Sequence, residues 1–98
     1  MSWTVILTNE QREPVEMLGT EFHSEFIENE ELRSRMRLLQ YLDPYGDTVF
    51  NHLQMTDLIN DLHALKDMDK GHELIDPIIE LAEKCRYGTL LYLVFYGD

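Results

Sequence analysis

Hydrophobic and polar positions alternate from the first residues. Trp3, Val5 and Leu7 fall on one side of Trp3-Thr4-Val5-Ile6-Leu7-Thr8, and Thr4, Ile6 and Thr8 on the other. This period of two predicts a strand that is at least half buried. Asn9 to Pro14 is polar and reads as a loop, and Val15-Glu16-Met17-Leu18 as a brief extension that Gly19 breaks. Phe22 and Phe26 then stand four apart, the spacing of one helix face, with Thr20 placed to cap a short helix and Glu21 to complement its dipole. A further helix is predicted from near Asn29, carrying Leu32, Met36 and Leu39 on one stripe widened by Leu38 and Leu42. Glu28, Glu30 and Glu31 are spaced to partner some of Arg33, Arg35 and Arg37.

The run ends at Asp43-Pro44, because proline fixes its own φ and pushes the residue before it out of the helical region. Gly46 can take positive φ at little cost, and Asp47 can bond its own backbone. Thr48-Val49-Phe50 then suits an extended piece. Thr56 is placed to cap the next helix, whose apolar face is Met55, Leu58, Ile59, Leu62 and Leu65. Lys66 to Gly71 reads as a polar connector. The last helix carries Leu74, Ile75, Ile78, Ile79, Ala82 and Cys85; Pro77 belongs in its first turn, which makes Asp76 a candidate cap. Gly88 releases the chain into Thr89 to Tyr96. That stretch is apolar on both faces, as expected of a central strand covered on both sides, with the first strand its neighbour. The pattern predicts one α+β domain over residues 1–98, with three or so helices packed on a small sheet that includes the N- and C-terminal strands.

Composition narrows the function. Nineteen acids against eight bases give a net charge of −11, which disfavours direct binding to nucleic acid, where Lys and Arg must meet phosphates. The same charge suits a basic partner. No apolar run approaches the ~20 residues of a membrane helix, and Met1-Ser2-Trp3-Thr4 lacks the basic and apolar regions of a signal peptide. A cytoplasmic protein with no membrane contact is therefore expected. The single cysteine, Cys85, has no partner for an intramolecular disulfide.

Catalytic chemistry finds little support in the residues. His72-Glu73-Leu74-Ile75-Asp76 begins like the H-E-x-x-H zinc motif, but Asp76 replaces the second histidine and Pro77 follows. Asp43 and Asp47 have the spacing of a calcium loop without its intermediate oxygen ligand, and Gln54 stands in the twelfth position, where glutamate is required. No nucleophile elbow, phosphate loop or dinucleotide fingerprint is present. The expectation is a non-enzymatic protein with no cofactor, catalytic residue or metal site. Tyrosine beside carboxylates makes a good protein-binding surface, since the ring buries area at low entropic cost. Asp43, Tyr45, Asp47, Tyr96 and the acids Glu28, Glu30 and Glu31 are the candidate partner-binding residues.

Asp43-Pro44-Tyr45-Gly46-Asp47-Thr48-Val49-Phe50-Asn51, followed by Gln54 and a terminal Tyr92-Leu93-Val94-Phe95-Tyr96-Gly97-Asp98, resembles a group of short bacterial proteins of unassigned function. In its small size, acidity and α+β character the chain is also similar to the immunity proteins that neutralise bacterial toxins. Neither resemblance gives a residue its role. Together they imply a small acidic bacterial module that binds another, basic, protein as an immunity or antitoxin-like inhibitor. Two other functions use the same residues differently. One is a small enzyme or metal-binding protein built on His52, His72, Glu73 and the Asp43/Asp47 turn; the other is a structural protein that self-associates through a sheet edge.

Overall fold

The alternation of Trp3, Val5 and Leu7 becomes β1, Ser2–Thr8, in which all three are buried and the intervening Thr4 and Ile6 are only half covered. A computed structural model describes residues 2–19, 21–23, 29–68 and 75–97. Around β1 it forms one α+β domain. A five-stranded antiparallel sheet has the order β2-β1-β5-β4, where β2 is Pro14–Met17, β4 Asp47–Asn51 and β5 Tyr92–Gly97. The two-residue β3, Phe22–His23, pairs with the start of β1 on the same side as β2. Three α-helices are described: α1 (Glu30–Ser34), α2 (Met55–Asp67) and α3 (Ile75–Tyr87). Short 3-10 turns at Leu39–Tyr41 and His52–Gln54 complete the frame.

The core lies between the helices and one face of the sheet. Trp3, Val5, Leu7, Phe50, Leu93 and Phe95 meet Met55, Leu58, Leu62 and Leu65 of α2 and Ile75, Ile78, Leu81 and Cys85 of α3. Phe95 is central in it, edge-on to Phe22 at 6.2 Å and to Phe50 at 5.8 Å between ring centroids. Each such pair adds about 0.5–1.5 kcal/mol beyond area burial. The apolar stripes read from α2 and α3 are the buried ones.

Several local expectations change. Phe22 does not lie in a helix; it pairs in the sheet opposite Trp3, and their rings pack 6.0 Å apart. Sheet pairing overrides the four-residue Phe spacing, while Thr20 and Phe26 lie outside the described residues. Asn29 caps α1 as its side chain accepts from the Leu32 N–H at 3.1 Å, but the helix stops at Ser34 instead of running to Leu42. The reason sits on α2. The Asp61 carboxylate accepts from the backbone N–H of Arg37 (3.0 Å), Leu38 (2.7 Å) and Leu39 (3.0 Å). Those are donors that a continuous helix would spend on its own carbonyls four residues back. Captured by Asp61, they bend the chain and let Met36 and Leu39 reach the core.

Capping before α2 also differs. Asn51, not Thr56, supplies the box: its side chain accepts from the Leu53 N–H at 3.0 Å and Gln54 returns an acceptor to the Asn51 N–H at 2.9 Å. Asp76 does not cap α3 but lies inside its first turn, paired with Lys66 of α2 at 2.8 Å. The last strand starts at Tyr92 rather than Thr89, since Leu90 adopts a left-handed φ of 60°. Gly46 has no positive φ; it is small because a Cβ there would stand 2.7 Å from Asp43 Oδ2.

The β1–β2 turn holds a strained residue. Asn9 Oδ1 accepts from the N–H groups of Gln11 (3.0 Å) and Glu13 (2.9 Å), and Arg12 sits at φ 65°. This is the left-handed position that a three-residue hairpin loop normally gives to glycine. Arg12→Gly is expected to raise stability by about 0.5–1 kcal/mol, because the left-handed strain removed exceeds the added chain entropy. Urea unfolding measures it.

The second face of the sheet carries three rows set by the strand registers. Met17, Ile6, Val94 and Val49 form a middle row across four strands. Thr4, Tyr96 and Asp47 lie on one side of it, and Thr8, Tyr92 and Asn51 on the other. β5 is central in the sheet, and Leu93 and Phe95 on one face and Val94 on the other are all fully buried, as expected of a strand covered on both sides. Val94 is fully buried yet outside the main core cluster. The Thr8 hydroxyl is buried there and finds no hydrogen-bond partner among the described residues. Thr8→Val removes that uncompensated group and is expected to stabilise by about 1 kcal/mol in the same urea assay.

Candidate functional site

Two hydrogen bonds fasten the Asp43–Asp47 turn to the end of the sheet and two more brace it locally. Trp3 Nε1 donates to the Asp43 carbonyl at 3.0 Å, and the Gly97 N–H to the Gly46 carbonyl at 2.9 Å. Within the turn, Asp43 Oδ1 accepts from the Tyr45 N–H at 2.9 Å, and the Asp43 N–H donates to Thr48 Oγ1 at 3.2 Å. Gly97 packs so closely under the turn that a Cβ would come within 2.7 Å of Pro44 backbone atoms and nearer still to the Asp43 carbonyl oxygen. A rigid base therefore presents an outward tip. Tyr45 is 81% exposed, flanked by the exposed carboxylates of Asp43 and Asp47. Neither carboxylate has an ion-pair partner among the described residues.

Tyr96 joins this corner, because β4 pairs it directly with Asp47. It is half-buried rather than open. Glu30 and Glu31 are exposed on α1, a separate element. Glu31 is engaged by Arg35 at 2.8 Å, whereas Glu30 borders an open hollow of about 360 Å³ with Arg33, Ser34, Gln40 and Tyr41. Arg33 Nε donates to the Gln40 carbonyl at 2.9 Å and so closes one side of it. Glu28 lies outside the described residues. Asp43, Tyr45, Asp47 and Tyr96 thus share one corner, with α1 contributing a second acidic surface. Tyr41 and Tyr87 are also largely exposed, at 64% and 77%. Each ends a structured run and neither lies on an apolar stripe.

Of the residues of the catalytic and metal readings, Asp43, Asp47 and His52 lie among the described residues. Asp43 uses a carboxylate oxygen on its own turn, His52 and His63 are exposed, and His72 and Glu73 lie outside the described residues. Among the described residues, no three His, Cys, Asp or Glu side chains converge as a metal cluster. Cys85 is buried and its thiol donates to the Leu91 carbonyl at 3.4 Å. Burial pushes that thiol up to about 11, so the nucleophilic thiolate is scarce at neutral pH. No described helix is long and apolar enough to cross a membrane.

Comparison with known proteins returns no matching family model, no matching curated protein and no matching solved structure.

Proposed function

We propose that this protein is a small, non-catalytic binding module that recognises a basic protein partner, in its most concrete form as an immunity or antitoxin-like inhibitor in the bacterial cytoplasm. The observation that carries this reading is the fastened corner: an exposed Tyr45 between two exposed carboxylates that have no ion-pair partner among the described residues. A preorganised aromatic loses little entropy on docking, and aromatic anchors dominate many interfaces. The surrounding charge of −11 supplies long-range attraction, which acts chiefly on association rate and partner choice. Bound at the corner, such a module blocks a basic active site or nucleic-acid groove sterically while neutralising its field.

Retention of proteins from the source cell's lysate, at low and high salt, tests the reading. A basic protein held at low salt and weakened by added salt is the expected result. The double variant Tyr45→Ala, Asp47→Ala is expected to weaken that complex by at least about ten-fold, in line with the loss of an interface anchor. Unchanged affinity would remove the corner from the interface.

A further inference from the structure

Two charges of opposite sign line one open hollow without neutralising each other. The hollow lies between α1 and the Leu39–Tyr41 turn, has a volume of about 360 Å³ and is lined by Glu30, Arg33, Ser34, Gln40 and Tyr41. Both elements reach it because Asp61 captures the backbone donors of Arg37, Leu38 and Leu39 and bends the chain after α1. Ligand sites run from about 300 to about 1,000 Å³, so this volume suits a small molecule. The walls are open. Tyr41 is 64% exposed, Glu30 and Ser34 are exposed, and Arg33 and Gln40 are half-buried.

Glu30 and Arg33 stand three apart on α1, a spacing that brings helical side chains together. They do not pair. The Arg33 Nε–H is drawn instead to the Gln40 carbonyl at 2.9 Å, which fixes the guanidinium. Its two Nη groups and the Glu30 carboxylate have no hydrogen-bond or ion-pair partner among the described residues. The neighbouring bases are engaged, Arg35 by Glu31 and Arg37 by Asp57. Ser34 Oγ donates to the Glu31 carbonyl at 2.8 Å and Gln40 Nε2 to the Arg37 carbonyl at 3.2 Å. An arginine fork, a carboxylate and an open tyrosine ring therefore remain for a ligand.

Charge decides which ligand fits. A guanidinium fork matches a carboxylate through two parallel hydrogen bonds. A simple anion would meet Glu30 on the same wall and a chain of net charge −11, and a simple cation would meet Arg33. A molecule that carries both charges satisfies both groups and, being neutral overall, is not repelled from a distance. We infer that the hollow binds a free amino acid as its zwitterion: Arg33 takes the carboxylate, Glu30 the ammonium group, and the side chain lies against the Tyr41 ring. This goes beyond the basic-partner reading and does not depend on it.

Phenylalanine is the probe, titrated into the full chain at neutral pH while the backbone amide resonances around the hollow are followed by nuclear magnetic resonance. Exposed charges are screened by water, so a Kd of about 1 mM is expected. N-acetylphenylalanine lacks the ammonium group and phenylalaninamide the carboxylate, and the two also stand for the ends of a peptide. The amide is expected to bind at least about ten-fold more weakly and the acetylated form at least about three-fold, since the fork contributes more than an exposed carboxylate. Arg33→Gln is expected to weaken phenylalanine by about ten-fold and Glu30→Gln by about three-fold. Glu30 is exposed and bonds to no described residue, so Glu30→Gln reports on the site where Arg33→Gln, which breaks the bond to Gln40, fails to fold. The same Glu30→Gln variant should leave binding of N-acetylphenylalanine intact. N-acetylphenylalanine that binds as tightly as phenylalanine, with both untouched by Glu30→Gln, overturns the inference and gives the hollow to a carboxylate alone. Phenylalaninamide that binds as tightly as phenylalanine removes Arg33 from the site and overturns it too. So does the absence of saturable shifts around the hollow at about 10 mM, well above the expected Kd.

Discussion

Asp61→Ala is expected to cost about 3–4 kcal/mol of folding stability, a large share of the ~5–15 kcal/mol typical of a domain. Asp61 is 5% exposed, and its two oxygens take three backbone donors from the bend at Arg37–Leu39. An orphaned buried donor costs about 1–3 kcal/mol. The Leu39 N–H is the fully buried one of the three, while those of Arg37 and Leu38 are partly open and water recovers some of their loss. Alanine also frees these donors to return to helix, which would draw Met36 and Leu39 out of the core. Asp61→Asn is expected to cost less, because one oxygen can still serve Leu38 and Leu39 while the amide faces the Arg37 N–H. Urea unfolding of the three proteins checks the order wild type, Asn, Ala. Asparagine as damaging as alanine would mean that charge, rather than acceptor placement, holds the bend.

The second large effect belongs to Gly97→Ala, with an expected loss of about 2–3 kcal/mol, the upper part of the range for overpacking. The groups a new methyl would strike are the Asp43 and Pro44 backbone, not the far end of a flexible side chain. Backbone held by Trp3 Nε1 and by the Gly97–Gly46 hydrogen bond can yield only by breaking those bonds. The turn would lift from the sheet, so the variant is also expected to bind the basic partner more weakly even where it remains folded. Chemical denaturation gives the first number and affinity at a temperature where the variant is native gives the second. A Gly97→Ala protein as stable as wild type would show that the turn is free to shift.

These two residues mark the boundary of what could be read along the chain. β1, β4, β5 and the stripes of α2 and α3 are legible because their signals are local: a period of two, a period of 3.6, a β-branched run. The bend after Ser34 is illegible locally, since the carboxylate that makes it lies more than twenty residues away on another helix. Phe22 misleads for the same reason, as its partner Trp3 is remote. The cap at Asn51 is a different case. Asn51 and Gln54 have the spacing of a capping box, so the signal is present in the sequence, and Thr56 merely competes with it. At the corner, the turn chemistry of Asp43, Gly46 and Asp47 is legible. That Gly97 and Trp3, paired at one end of the sheet, clamp the turn is not, because nothing local marks a close approach across the fold.

The register that sets Trp3 against Gly97 also governs how the domain acquires its structure. The pair at the centre of the sheet joins its first and last strands, so nearly the whole domain must be looped out before that ladder can close. Loop closure of this length is an entropic barrier met before any pairing energy returns. Helices α2 and α3, being local, can gather first, but they have no surface to settle on until β1 and β5 meet. Refolding should therefore be slow for so small a chain, and the two central strands should protect their amides last and together.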